Sequence, residues 1–268
     1  MKKVLIILSF IFVGFSNLIA ADISTYLQGD YVDTKSATEK LNNAGFEVIA
    51  EYVSVKNGLT LVFTNAALKK EASKTGRANA AVLRLFIDTK EKKISITNPV
   101  YFGKAFMQDD YNAGVYEAQL KSIHAAFSGL SGSVDKLDED DISGYHFMMG
   151  MPYYEDKDIL GKASTSELLK KAQTYKKGKY LLFTLKLSDD SYLLGYDLGK
   201  RTKKFVKKIG RANAAVLPYC ISIEKGVATS LEAKYYLAVS YPLLSMGEFT
   251  TIATVPGAIK KDLTKPFK

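Results

Sequence analysis

The stretch Gly76-Arg77-Ala78-Asn79-Ala80-Ala81-Val82-Leu83 occurs twice, and its second appearance, from Gly210 to Leu217, is unchanged. The offset is 134 residues (210 − 76 = 134), about the length of one small domain. An identical block at that spacing marks a tandem repeat, and a repeat decides the architecture before any single element does. Past the block, Ile87 falls on Ile221 and Tyr101 on Tyr235 without a gap. Before it, Lys69, Lys70 and Lys74 fall on Lys203, Lys204 and Lys208. Between Val62–Met107 and Tyr196–Tyr241, eight of the thirteen identities lie inside the block. Something holds it more tightly than its surroundings.

Local signals around the block predict the same elements in both copies. Ser36 stands as an N-cap with Glu39 at the capping-box position, and Gly45 stops that helix. Phe46 to Val55 is apolar and β-branched, hence a strand. Asn57-Gly58 turns it into Leu59–Phe63. Asn65 caps a short helix that ends at Gly76, and Ala81–Asp88 and Lys93–Phe102 are strands. Tyr116, Leu120, Ile123, Phe127 and Leu130 recur at helical spacing over Tyr111–Leu130. In the second copy, Lys200–Ile209 is a lysine-rich helix, and Met246–Lys261 is a helical segment broken near Pro256. The expected fold is α+β: two repeated units, each an antiparallel sheet with helices on one face. A pseudo-two-fold axis relates them, with sheets that can join side by side. The units span 21–130 and 144–268, joined by an acidic linker over 131–143 that contains Asp138–Asp141.

The start of the chain has Lys2 and Lys3, an apolar run from Val4 to Val13, and small residues at Ala20 and Ala21. That layout is a secretory signal peptide over 1–20, and the apolar run is shorter than a spanning helix needs. The expectation is a soluble, periplasmic or secreted chain with no transmembrane segment after cleavage. One cysteine, Cys220, excludes an intrachain disulfide, so apolar burial must carry the cores. The net charge of +9 becomes +7 without Lys2 and Lys3 (9 − 2 = 7). It favours an anionic protein or surface as partner; in an exported chain, nucleic acid is not expected.

Three segments together resemble a known family. They are Phe63-Thr64-Asn65-Ala66-Ala67-Leu68-Lys69, Val82-Leu83-Arg84-Leu85-Phe86-Ile87-Asp88, and Ile96-Thr97-Asn98-Pro99-Val100-Tyr101-Phe102. In this order they are similar to the domain-of-unknown-function family numbered 302. That family has an asparagine-started helix, a hydrophobic strand, a charged turn, and a strand ending in an asparagine-proline pair. The resemblance covers roughly Ala44 to Phe127. The second copy departs from it, with Gly199 in place of Asn65 and Glu232-Ala233 in place of Asn98-Pro99. It implies a TATA-binding-protein-like arrangement, a curved antiparallel sheet with helices on one side, and no activity or catalytic residue.

The candidate sites follow from the block. Arg77 and Arg211 offer planar donors to a carboxylate or phosphate. With Asn79, Asn213, Tyr101 and Tyr235 they form a paired ligand-binding set. The competing reading is geometric: glycine supplies a positive φ, and alanines let backbones approach closely. A second candidate is Tyr145–Met151, which on a strand would set His146 and Met148 on one face as soft ligands for copper. Methionine is equally a core filler. The solvated lysines of Lys200–Lys208 suit an anionic surface. No metalloprotease, nucleophile-elbow, phosphate-loop or CxxC pattern occurs. No cofactor is implied. The leading expectation is a non-catalytic ligand- or partner-binding module with its site between the copies. The alternatives are an enzyme using Lys, Tyr or carboxylate groups, and a copper-handling protein.

Overall fold

The computed structural model describes residues 21–268, and the expected signal peptide lies outside the described residues. Strands β1 (Asp22–Ser24) and β2 (Tyr26–Asp30) lead into helix α1 (Thr34–Asn43). Its cap is Asp33, whose side chain accepts from Ser36 N, so the expected Ser36 cap moves three residues upstream. Gly45 follows with φ +84, as the stop signal requires. A hairpin of β3 (Glu47–Val55) and β4 (Gly58–Thr64) turns at Asn57-Gly58, where Asn57 has φ +62. Asn65 then caps α2 (Ala66–Ala72), accepting from Leu68 N at 3.0 Å. The first copy of the repeated block forms a 3-10 turn over Ala78–Ala81 and feeds β5 (Leu83–Asp88).

Strand β6 (Lys93–Thr97) ends earlier than expected. Asn98-Pro99 does not close a strand; it starts helix α3 (Pro99–Met107), and Tyr101 therefore lies on a helix. The Asn98 side chain accepts from Val100 N, and proline at the first helical position has its φ already set. Helix α4 (Ala113–Ala126) follows, burying Tyr116 and Ile123. The segment 131–143 is not a free linker. Ser131–Gly132 pairs with β2 as β7, and Lys136–Asp138 pairs with β1 as β8. Tyr145–Met151 forms turns and bends, so the strand alternation expected there is absent.

The second half runs β9 (Asp158–Lys162), α5 (Thr165–Thr174), β10 (Leu181–Ser188), β11 (Ser191–Tyr196), β12 (Tyr219–Glu224) and β13 (Val227–Ser230). It closes with α6 (Ala233–Ser240), α7 (Met246–Thr251) and α8 (Val255–Thr264). The break before Pro256 falls at Ile252–Thr254, as expected. The lysine-rich segment Lys200–Ile209 is not an α-helix; it holds a 3-10 helix over Thr202–Lys207, separate from the 3-10 helix Arg211–Val216 of the repeated block. It still buries Phe205, Val206 and Ile209.

All strand pairings are antiparallel. The six-stranded sheet has the order β3-β4-β5-β6-β2-β7, and the five-stranded sheet β10-β11-β12-β13-β9. The two are not hydrogen-bonded to one another, so the side-by-side joining considered from the sequence does not occur. In the first sheet, Leu61, Leu85, Ile96 and Leu27 lie in register and point to one side, with every one buried. Gly29 is on that side, and a methyl group there would meet the Leu130 side chain at 2.8 Å, so the segment between α4 and β7 covers it. The opposite side carries Arg84, Phe86 and Asp88, and it too is buried. What covers it is the second half of the chain. No helix among the described residues is long and apolar enough to cross a membrane.

Candidate functional site

The seam between the halves is organised by the two repeated turns. Each begins on a glycine with positive φ, +80 at Gly76 and +99 at Gly210, which is the geometric role expected of them. Gly76 N donates to Glu224 Oε1 of β12 at 3.2 Å. Gly76 O accepts from the Tyr154 hydroxyl at 2.7 Å and from Lys157 Nζ at 2.6 Å. Both donors belong to the second half. Gly76 is thus docked onto the second half through its backbone N–H and carbonyl.

The two arginines are occupied by the protein's own acids. Arg77 Nε donates to Asp110 at 2.9 Å and Nη1 to Glu155 at 2.5 Å, with the guanidinium 5.5 Å from the centre of the Tyr154 ring. Arg211 holds Asp88 with two bonds, Nε to Oδ2 at 2.6 Å and Nη2 to Oδ1 at 2.9 Å. Nη2 also reaches Asn57 O at 2.6 Å. Asp88 is buried at the end of β5, so this fork-on-fork pair is a bridge between the halves rather than a free anion clamp. Burial works to raise the Asp88 carboxyl, but Arg211 and the N–H groups of Glu91 and Lys90 outweigh it and hold it below the usual carboxylate range.

Tyr101 and Tyr235 are buried in the same seam. Tyr101 donates to Val239 O of α6 at 2.7 Å, and Tyr235 to Ala105 O of α3 at 3.1 Å. Burial, first of several causes, pushes both phenols well above their usual range, so neither acts as an acid or base near neutrality. Asn213 donates from Nδ2 to Ile209 O and accepts at its backbone carbonyl from Tyr241. Asn79 is buried, with its side chain beside the Tyr154 hydroxyl. The six residues singled out in the repeat are therefore brought to one seam, but into separate contacts within the protein.

His146 and Met148 go elsewhere. The His146 ring lies 4.3 Å from that of Tyr153, with Nε2 3.4 Å from the tyrosine oxygen. Met148 and Met149 are exposed. Among the described residues, no group of three or more His, Cys, Asp or Glu is placed to hold a metal ion. Of the lysine run, Lys203 turns to Asp197 at 3.2 Å and Lys208 to Thr251 O at 2.7 Å, leaving Lys200, Lys204 and Lys207 exposed.

A cleft of about 200 Å³ remains where the second turn crosses the first sheet. Ala212 forms one wall, and Gln28, Phe86, Ser95 and the Asp88 end of β5 form the other. Ser95 is 4% exposed, and its hydroxyl is bonded to nothing among the described residues. Sequence reasoning passed over Ser95 and Gln28. The alternation of β6 contains a signal: Lys93, Ser95 and Thr97 share the polar side of an otherwise apolar strand. No family model, no curated protein and no solved structure matches the chain.

Proposed function

We propose that this chain is an exported, non-catalytic binding protein built from a tandem repeat. On this reading it takes a small ligand in the cleft between Ala212 and the β2–β6–β5 surface. The cleft carries the reading: it is a concavity at the junction of two halves, and its wall holds a buried, unpaired hydroxyl at Ser95. Orphaned buried hydroxyls are rare because each costs about 1–3 kcal/mol, a cost that a bound acceptor or donor removes. The volume exceeds the roughly 150 Å³ cavity that takes benzene. The ligand class is therefore a small molecule with an apolar body for Phe86 and a polar group for Ser95 and Gln28.

The halves are read as two copies about a pseudo-two-fold axis. The identical blocks, the parallel strand orders and the reciprocal tyrosine bonds support that reading. We also keep the resemblance to the family numbered 302 and an address in the periplasm or outside the cell. Their support is in the quoted motifs and in the basic, apolar and small residues at the start of the sequence.

Fragment screening of the mature chain by ligand-observed NMR tests the binding proposal. The expected result is a set of binders that Ala212→Trp, which fills the cleft, displaces. Binders that ignore Ala212→Trp, or no binders at all, would overturn it.

A further inference from the structure

Arg84 is the most exacting residue in the seam. It is the second residue of β5, 5% exposed, between Leu83 and Leu85. Its Nη2 donates to Pro218 O and to Cys220 Sγ, both at 3.1 Å. Its Nε–H has no partner. Among the described residues it joins no salt bridge, although the other two seam arginines, Arg77 and Arg211, each hold carboxylates. A guanidinium stays charged at any ordinary pH, and a buried charge without a counter-charge costs several kcal/mol. The ionisable side chains that act on it most strongly are Tyr236, Cys220 and Tyr26, each of them neutral in its ordinary acid form.

Beside Arg84 is a void of about 10 Å³, lined by Asn79, Phe106, Tyr219, Cys220 and Tyr236 as well as by the arginine. That is room for about one water-sized particle. Tyr219 and Tyr236 spend their hydroxyl protons on Leu231 O and Val216 O, so neither supplies negative charge to the void. From the uncompensated guanidinium, its unused Nε–H and the void beside it, we infer that Arg84 binds a single monatomic anion of the halide class at the centre of the seam. The anion supplies the missing counter-charge and accepts the orphaned Nε–H. Pro218 occupies the position 134 residues beyond Arg84, so the second copy contains no matching arginine (84 + 134 = 218). One anion per chain is therefore expected.

The test uses the whole mature protein in sodium bromide and in sodium gluconate at matched ionic strength. The expected result is a saturable rise in Tm specific to bromide, about 5 °C or more at a hundredfold excess over Kd. Crystals grown in bromide should show one anomalous scatterer in contact with Arg84 Nε. Arg84→Met should lose the bromide-specific rise; where that variant fails to fold, the anomalous map of the wild-type protein decides. Identical midpoints in the two salts together with a site holding only water would overturn the proposal. So would an ultraviolet thiolate band at neutral pH that Cys220→Ser removes, because the thiolate would then be the counter-charge.

Discussion

Tyr101 and Tyr235, 134 residues apart, each donate a hydrogen bond to the helix that carries the other. Their acceptors, Ala105 O and Val239 O, are also 134 apart (239 − 105 = 134). A contact in which residue i meets j′ while i′ meets j is what the proposed pseudo-two-fold relation between the halves requires.

Tyr101→Phe and Tyr235→Phe each remove one hydroxyl and leave a buried carbonyl without that donor. Each should cost about 1–2 kcal/mol in urea unfolding. A loss confined to one of the two would argue that the reciprocal contacts are not equivalent.

The arginines of the identical blocks should not be equivalent either. Arg211→Ala strands the Asp88 carboxylate, whose side chain is only 4% exposed, and should cost about 3–5 kcal/mol. Arg77 faces Asp110 and Glu155, both well exposed, so Arg77→Ala should cost about 1 kcal/mol or less through its ion pairs. Equal losses in the two variants would contradict this account of the seam.

Acid should open the Arg211–Asp88 bridge. A carboxyl lowered by folding contributes its full stability above its unfolded value, about 3.9, and loses it as pH falls through the folded value. Asp88→Asn should therefore be destabilised at neutral pH, and it should lose less further stability than the wild type below about pH 4. Parallel acid profiles for the two proteins would remove Asp88 from the pH dependence.

Gly210 has φ +99 and ψ 139, a region open essentially to glycine. A methyl group there would meet Asn213 Nδ2 at 3.5 Å, so space is not the obstacle. Gly210→Ala should cost about 1–3 kcal/mol from backbone strain alone. Thermal unfolding of that variant checks it, and an unchanged Tm would mean the turn relaxes.

What was legible in the sequence was what short-range physics controls. Asn65 caps its helix and Asn57-Gly58 turns its hairpin. Gly76 and Gly210 take positive φ, because each depends on steric and hydrogen-bonding rules that act within a few residues. Where two local rules competed, the reading failed. Asn98-Pro99 serves to end a strand or to start a helix, and the structure uses it as a helix start, with Asn98 capping Val100 N. The lysine run has helical spacing of its apolar residues, yet it forms a 3-10 helix, with Lys203 drawn to Asp197 and Lys208 to Thr251 O.

The duplicated block itself was determined by sequence: its position, its identity and the glycine that starts each copy. Its meaning was decided by tertiary structure. Arg211 meets Asp88 across 123 residues and Arg77 meets Glu155 across 78, distances over which no local pattern specifies a partner. The same separation hid the burial of the sheet's polar side. Alternation along a strand shows which residues share a side, whereas only the packing of the second half against it decides whether water or protein covers them.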